Sequence, residues 1–122
     1  GRPRRCGWID LVALKYACMI NGVTQVIMTK ADVLDSFEEL KVCTAYNING
    51  IETKEVPYQL PRVQAEPQLQ SFKGWHSDTT KVKESAALPD TMHTYINFIN
   101  QYIGAPVKYV SNGPGREQIV HI

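Results

Sequence analysis

Residues 88–115 read LPDTMHTYINFINQYIGAPVKYVSNGPG, and their pattern decides the fold class. Pro89 suits the first turn of a helix, where its missing N–H has no partner to lose and its fixed φ is already helical. Met92, Tyr95, Ile96, Ile99, Tyr102 and Ile103 then recur at steps of three and four, which places them on one stripe. Gly104 accepts the left-handed conformation that ends a helix, and Pro106 prevents its continuation. The next residues, VKYVS from Val107, form a short strand-forming run. It breaks at Ser111-Asn112-Gly113-Pro114-Gly115, a tight turn, before a last short strand around residues 118–122.

Towards the amino end, Trp8, Leu11, Val12, Tyr16, Met19 and Ile20 predict a first helix that stops at Asn21-Gly22. Residues 25–28 and 40–46 predict strands. The second runs on to Asn49-Gly50, a pair that favours a hairpin, with the sequence IETKEV (51–56) as the returning strand. Residues 57–71, PYQLPRVQAEPQLQS, hold Pro57, Pro61 and Pro67 without any period, and predict a long surface loop. The order helix, strand, hairpin, helix, strand predicts an α/β fold in a single unit spanning 1–122.

The chain of 122 residues is 43% hydrophobic and 20% charged with a net charge of +1. That balance is globular, and it offers no global field for nucleic acid or an anionic membrane surface. No apolar run approaches the ~18–20 residues that span a bilayer, and no basic-then-apolar leader is seen. A soluble, cytoplasmic protein is the expectation. Cys6, Cys18 and Cys43 are odd in number and lack CxxC spacing, so free thiols are expected rather than a disulfide framework or zinc site. The three histidines, His76, His93 and His121, have no metal-ligand spacing. No GxxxxGK[ST] phosphate loop, GxGxxG, nucleophile elbow or HExxH is found. No catalytic residue and no metal ligand are therefore expected in these residues. The opening at Gly1 without a methionine raises the expectation of a piece of a longer chain.

Chemistry is concentrated in two strand-end turns and the amino-terminal arginines. Thr29-Lys30-Ala31-Asp32 follows the apolar run ending at Met28, and ligands of open α/β sheets gather at the carboxyl ends of strands. Guanine shows two adjacent donors, its ring N–H and 2-amino group, which match the two acceptor oxygens of the Asp32 carboxylate. Lys30 can lay its methylene stem on the base while its ammonium stays in solvent. A solvated turn explains the same four residues. Gly113, beside Ser111, lets backbone N–H groups approach a base closely, although the segment also reads as an ordinary turn. Arg2, Arg4 and Arg5 offer forked donors for carboxylates or phosphates, or else a solvated basic end.

Taken together, GRPRRCGWIDLVALKYACMINGVTQVIMTKADVLDSFEELKVCTAY (1–46), Gly74-Trp75 and YVSNGPGREQ (109–118) resemble the carboxy-terminal part of the adenylosuccinate synthetases. The ordered blocks GR-x-RR, GW-x-D, TK-x-D-VLD, K-V-C-x-A-Y and S-x-GP carry the resemblance across nearly the whole chain. It implies the carboxy-terminal part of a mixed sheet like that of P-loop NTPases, flanked by helices, with a β-hairpin and a long proline-containing loop. It further implies a GTP- and Mg2+-dependent ligase that joins IMP and L-aspartate into adenylosuccinate through a 6-phosphoryl-IMP intermediate, on the route to AMP, and works as a homodimer. By the same resemblance Lys30, Asp32, Ser111 and Gly113 recognise guanine. Arg2 and Arg4 bind aspartate, with Arg2 also reaching the IMP ribose and Arg4 the GTP phosphates. Ala31 and Asn112 fill variable positions of their blocks. The catalytic base and acid, the phosphate loop and the metal ligands are expected outside these residues. The alternatives are a free-standing guanine-nucleotide-binding module and a structural domain without activity.

Overall fold

The computed structural model describes residues 3 and 5–122; Gly1, Arg2 and Arg4 lie outside the described residues. The chain folds as β1 (Ile9–Asp10), α1 (Leu11–Ile20), β2 (Val26–Met28), β3 (Glu39–Ile48), β4 (Ile51–Thr53), β5 (Ala65–Lys73), α2 (Asp90–Ile103), β6 (Val107–Ser111) and β7 (Ile119–His121). The α/β class read from the sequence holds, in the form of two mixed sheets and two helices. In the first sheet β3 is central. It pairs antiparallel with β5 along its length, and with β1 (parallel) and β4 (antiparallel) at separate stretches. In the second, β2 and β6 run parallel, and β7 returns antiparallel to β6.

Helix α2 lies at the centre of the packing. Met92, Tyr95, Ile96, Ile99 and Ile103 are buried in one cluster with Leu11, Leu40, Val42, Val107, Val110 and Val120, so one helical stripe joins α1 to both sheets. Burying each such side chain is worth roughly 1.5–3 kcal/mol. Gly104 closes the helix at φ 73°, and its N–H donates to the Asn100 carbonyl. The Asn100 side chain then accepts from Val107 N–H at 2.8 Å, which sets the start of β6. The predicted hairpin is also present, with Asn49 and Gly50 at φ 54° and 83°, the left-handed pair that matches strand twist. Its returning strand is shorter than expected and stops at Thr53.

Two expectations are corrected. Trp8 does not belong to the first helix. That helix starts after Asp10, whose carboxylate accepts from Ala13 N–H at 3.0 Å, and Trp8 packs edge-on against Phe37 at 5.6 Å between centroids. The long loop ends early as well. Residues 57–64 are irregular with one 3-10 turn, but Ala65–Lys73 is a strand. Every residue of β5 except Ala65 and Phe72 is exposed, so it lacks the alternation of a half-buried strand. Its place at the edge of the sheet accommodates Pro67, since an edge residue can do without an N–H donor on its outer side. Opposite it, β3 is irregular between Cys43 and Ala45, and the Thr44 carbonyl accepts from the Tyr102 hydroxyl at 2.5 Å. No described helix is long and apolar enough to cross a membrane.

Candidate functional site

Because β2 and β6 are adjacent and parallel, with Met28 opposite Val110, the chain leaves both strands at the same end of the sheet. Neighbouring strands lie ~4.8 Å apart, so the turn carrying Lys30 and Asp32 and the turn carrying Ser111 and Gly113 start side by side. After β2, Lys30 adopts φ 59°, ψ 37°, a left-handed conformation uncommon for a side chain of its size, and residues Ala31–Leu34 form a 3-10 turn. Val33 N–H donates to the Lys30 carbonyl and Asp35 N–H to that of Asp32. Ala31 is buried while Lys30 is exposed and Asp32 half-buried. A small residue at position 31 thus turns inward and leaves Lys30 and Asp32 at the surface. Among the described residues neither the Lys30 ammonium nor the Asp32 carboxylate is in a salt bridge.

After β6 the turn is drawn tight. The Ser111 hydroxyl donates to the Gly113 carbonyl at 3.2 Å. Gln118 folds its amide across the turn, accepting from Gly115 N–H at 2.8 Å and donating to the Thr80 carbonyl at 3.0 Å. A Cβ at Gly113 would lie 2.3 Å from that amide, so a side chain at position 113 would displace Gln118 from its two hydrogen bonds.

A third segment, residues 75–82, joins the two turns. Asp35 ends the first turn and is half-buried. Its carboxylate accepts from the Trp75 indole N–H at 2.7 Å, from Thr79 N–H at 2.7 Å and from the Thr79 hydroxyl at 2.9 Å. Asn112, in the second turn, donates through its amide to the carbonyls of Thr79 and Val82. Thr79 and Asn112 are both fully buried. The Asn112 oxygen is buried without a hydrogen-bond partner among the described residues. Within the segment, the Thr80 hydroxyl and N–H donate to exposed Asp78 and hold its carboxyl below the usual range.

Asn112, at a variable position of its motif, thus supports its turn through these bonds, as do Asp35, Trp75, Thr79 and Gln118, which no short motif marks for that role. Their partners lie 30 to 44 residues away, beyond the reach of any local pattern. The one available signal was Asp35 itself, a second carboxylate three residues after Asp32. Arg2 and Arg4 lie outside the described residues, and Arg5 is exposed. His93, on α2, has Nε2 at 2.9 Å from the Ser85 carbonyl, and His121 lies tilted against Tyr109 with 5.1 Å between ring centroids. Cys6, Cys18 and Cys43 are free thiols, and burial raises the pKa of Cys43. Among the described residues no group of three or more His, Cys, Asp or Glu side chains could hold a metal.

A concavity of about 800 Å3 lies elsewhere, lined by Val12, Tyr16, Met19, Val56 and Ile103 among others. It contains no residue of the two strand-end turns or of the 75–82 segment, and its lining is mostly apolar, with Lys15, Lys54 and Glu55 as its charged members. Size alone does not outweigh the convergence of two strand-end turns, so the candidate site is placed at the ends of β2 and β6.

The adenylosuccinate synthetase family model matches residues 1–120. Adenylosuccinate synthetases of Parabacteroides distasonis and Flavobacterium psychrophilum are 51% and 50% identical over 120 residues, 98% of this chain and 28% of each relative. The chain thus spans under a third of the length of these curated relatives. A solved structure of fully ligated adenylosuccinate synthetase from Plasmodium falciparum superposes with a TM-score of 0.92 at 31% identity, over 99% of this chain and 30% of the other. The sequence identity, the common fold and a match over almost every residue agree: the chain belongs to the adenylosuccinate synthetase family.

Proposed function

We propose that the chain is the guanine-recognition portion, located towards the carboxyl end, of an adenylosuccinate synthetase, a cytoplasmic, homodimeric ligase that uses GTP to join IMP and L-aspartate. The observation that carries the reading is the placement of Asp32, half-buried on a turn whose neighbour carries Ser111 and Gly113, at adjacent parallel strand ends. The position towards the carboxyl end is supported by the order of the sequence blocks, from GR-x-RR to S-x-GP.

In this reading the Asp32 carboxylate accepts from the ring N–H and 2-amino group of guanine, a bidentate match that adenine cannot make. A base lacking those donors would leave a desolvated carboxylate unpaired, and polar sites of this kind discriminate by factors of about 10^4. The Lys30 stem covers one face of the base, and its left-handed backbone fixes the direction in which that stem leaves the turn. Ser111 and Gly113 supply the opposite rim. Arg2 and Arg4 take the aspartate and IMP side, with Arg4 also near the GTP phosphates, as forked donors for oxyanions. Mg2+ would offset the phosphate charge during phosphoryl transfer. No cluster among the described residues fits it.

Asp32→Asn in the full-length enzyme tests the reading. Xanthine replaces the 2-amino group of guanine with an oxygen, so it presents one donor and one acceptor, the complement of an asparagine amide. The variant should lose most of its use of GTP and gain activity with xanthosine triphosphate, with KM for IMP and aspartate close to the parent values. An unaltered preference for GTP would mean that Asp32 does not read the base.

A further inference from the structure

We infer that residues 75–82 act as a spacer that sets the distance between the two halves of the base pocket, with Thr79 and Asn112 as positioning residues for nucleotide selectivity. The inference rests on the guanine-site reading above. Thr79 is the shared point: its N–H and hydroxyl hold Asp35 at the end of the Asp32 turn, and its carbonyl accepts from Asn112 in the Ser111–Gly113 turn. Two further bonds reinforce the second side, from Asn112 to the Val82 carbonyl and from Gln118 to the Thr80 carbonyl. One short segment therefore grips a carboxylate on one turn and two amides on the other.

Thr79 and Asn112 are fully buried, so neither side chain is exposed to a nucleotide. Any influence on base recognition must pass through the position of Asp32 on one side and Ser111 and Gly113 on the other. Stability alone is a poor account of Asn112. Two donor bonds are accompanied by a buried oxygen without a partner among the described residues, and leaving a buried acceptor unpaired costs more than one hydrogen bond contributes, which offsets most of what the two bonds add. What the amide does supply is geometry, because its two N–H groups fix two carbonyls of the spacer at once.

The test compares Thr79→Val, which keeps the volume and removes the hydroxyl donor, with Thr79→Ser, which keeps the hydroxyl, and with Asn112→Asp, which turns a carboxylate towards two carbonyls. Steady-state kinetics on the full-length enzyme would use GTP and inosine triphosphate, a base without the 2-amino group, alongside thermal unfolding. Thr79→Val and Asn112→Asp should raise KM for GTP about tenfold, the equivalent of one hydrogen bond, and reduce the preference for GTP over inosine triphosphate. The kcat at saturating GTP and the KM for IMP and aspartate should stay near parent values, and Thr79→Ser should resemble the parent. A lowered Tm or active fraction with unchanged KM and selectivity would make these residues merely structural and overturn the inference. If Asn112→Asp does not fold, Thr79→Val against Thr79→Ser decides the matter. Asp32→Asn separates the two levels. If it exchanges GTP for xanthosine triphosphate while Thr79→Val leaves selectivity intact, only the spacer role is wrong; if Asp32→Asn has no effect, the pocket itself is misplaced and the spacer role falls with it.

Discussion

Replacing Gly74 by alanine should destabilise the protein sharply through a single methyl group. Gly74 follows β5, and its N–H donates to the Glu38 carbonyl at 2.7 Å, which brings the two segments together just before β3. A Cβ there would lie 1.9 Å from the Phe37 carbonyl oxygen and 2.8 Å from its carbon, whereas real Cβ contacts stay beyond ~3 Å by steric exclusion. The obstacle is backbone, so no rotamer change relieves it, and one of the two segments must move by roughly 1 Å. Overpacking of this kind costs about 1–3 kcal/mol, and the strained Gly74–Glu38 bond adds about 1 kcal/mol. Reduced freedom of the unfolded chain returns about 0.4–1 kcal/mol. The net loss is about 1–3.5 kcal/mol, which at about 4 °C per kcal/mol for a domain of this size lowers Tm by roughly 4–14 °C. Gly7→Ala is the control, because nothing lies within 4 Å of its would-be Cβ. Circular dichroism melts of both variants would check the reasoning. A Gly74→Ala Tm within 2 °C of the parent would show that the close approach at Phe37 carries no constraint.

Burial pushes the Tyr95 hydroxyl up to about 12 from an ordinary 10, so its protonated form belongs to the folded state. Stability from this group should be intact below pH 10 and fall as pH rises from 10 towards 12, by at most about 1.4 kcal/mol per unit; urea unfolding of Tyr95→Phe should show a shallower alkaline decline than the parent. Asp10→Ala removes both the cap on Ala13 N–H and the partner of the Tyr46 hydroxyl at 2.5 Å. The cap contributes about 1 kcal/mol and the bond to a carboxylate about 1.5–3 kcal/mol, so denaturant titration should register a loss of about 2–4 kcal/mol.

The legible parts of this fold are those whose determinants lie close together in the sequence. For α2, a proline, an apolar stripe and a glycine follow one another within sixteen residues, 89–104, and the helix matches them. Asn49-Gly50 is equally local, because a type of turn that needs two positive φ values demands that pair. Strand β5 was hidden because its evidence is not local. Three prolines mark residues 57–71 as irregular, while the partner that holds 65–73 in a strand is β3, far behind it in the chain. The first helix was overextended for a related reason: Trp8 fits the helical spacing, but its ring packs on Phe37 rather than on the helix. At the candidate site, Lys30, Asp32, Ser111 and Gly113 could be singled out from short motifs with a chemical rationale. Asp35, Thr79 and Asn112 could not, since each matters through a bond that only the folded chain creates.

Pro67 also bears on solubility. Among the described residues strand β5 pairs with β3 alone, so along nine residues it presents an outer edge, and such an edge is a template on which another extended chain can dock. Pro67 interrupts the row of donors, while Glu66 and Lys73 are exposed on the same strand. Natural sheets discourage edge-to-edge assembly with this combination of a proline and charges. The residue that conceals the strand in the sequence thus helps keep its edge from templating aggregation.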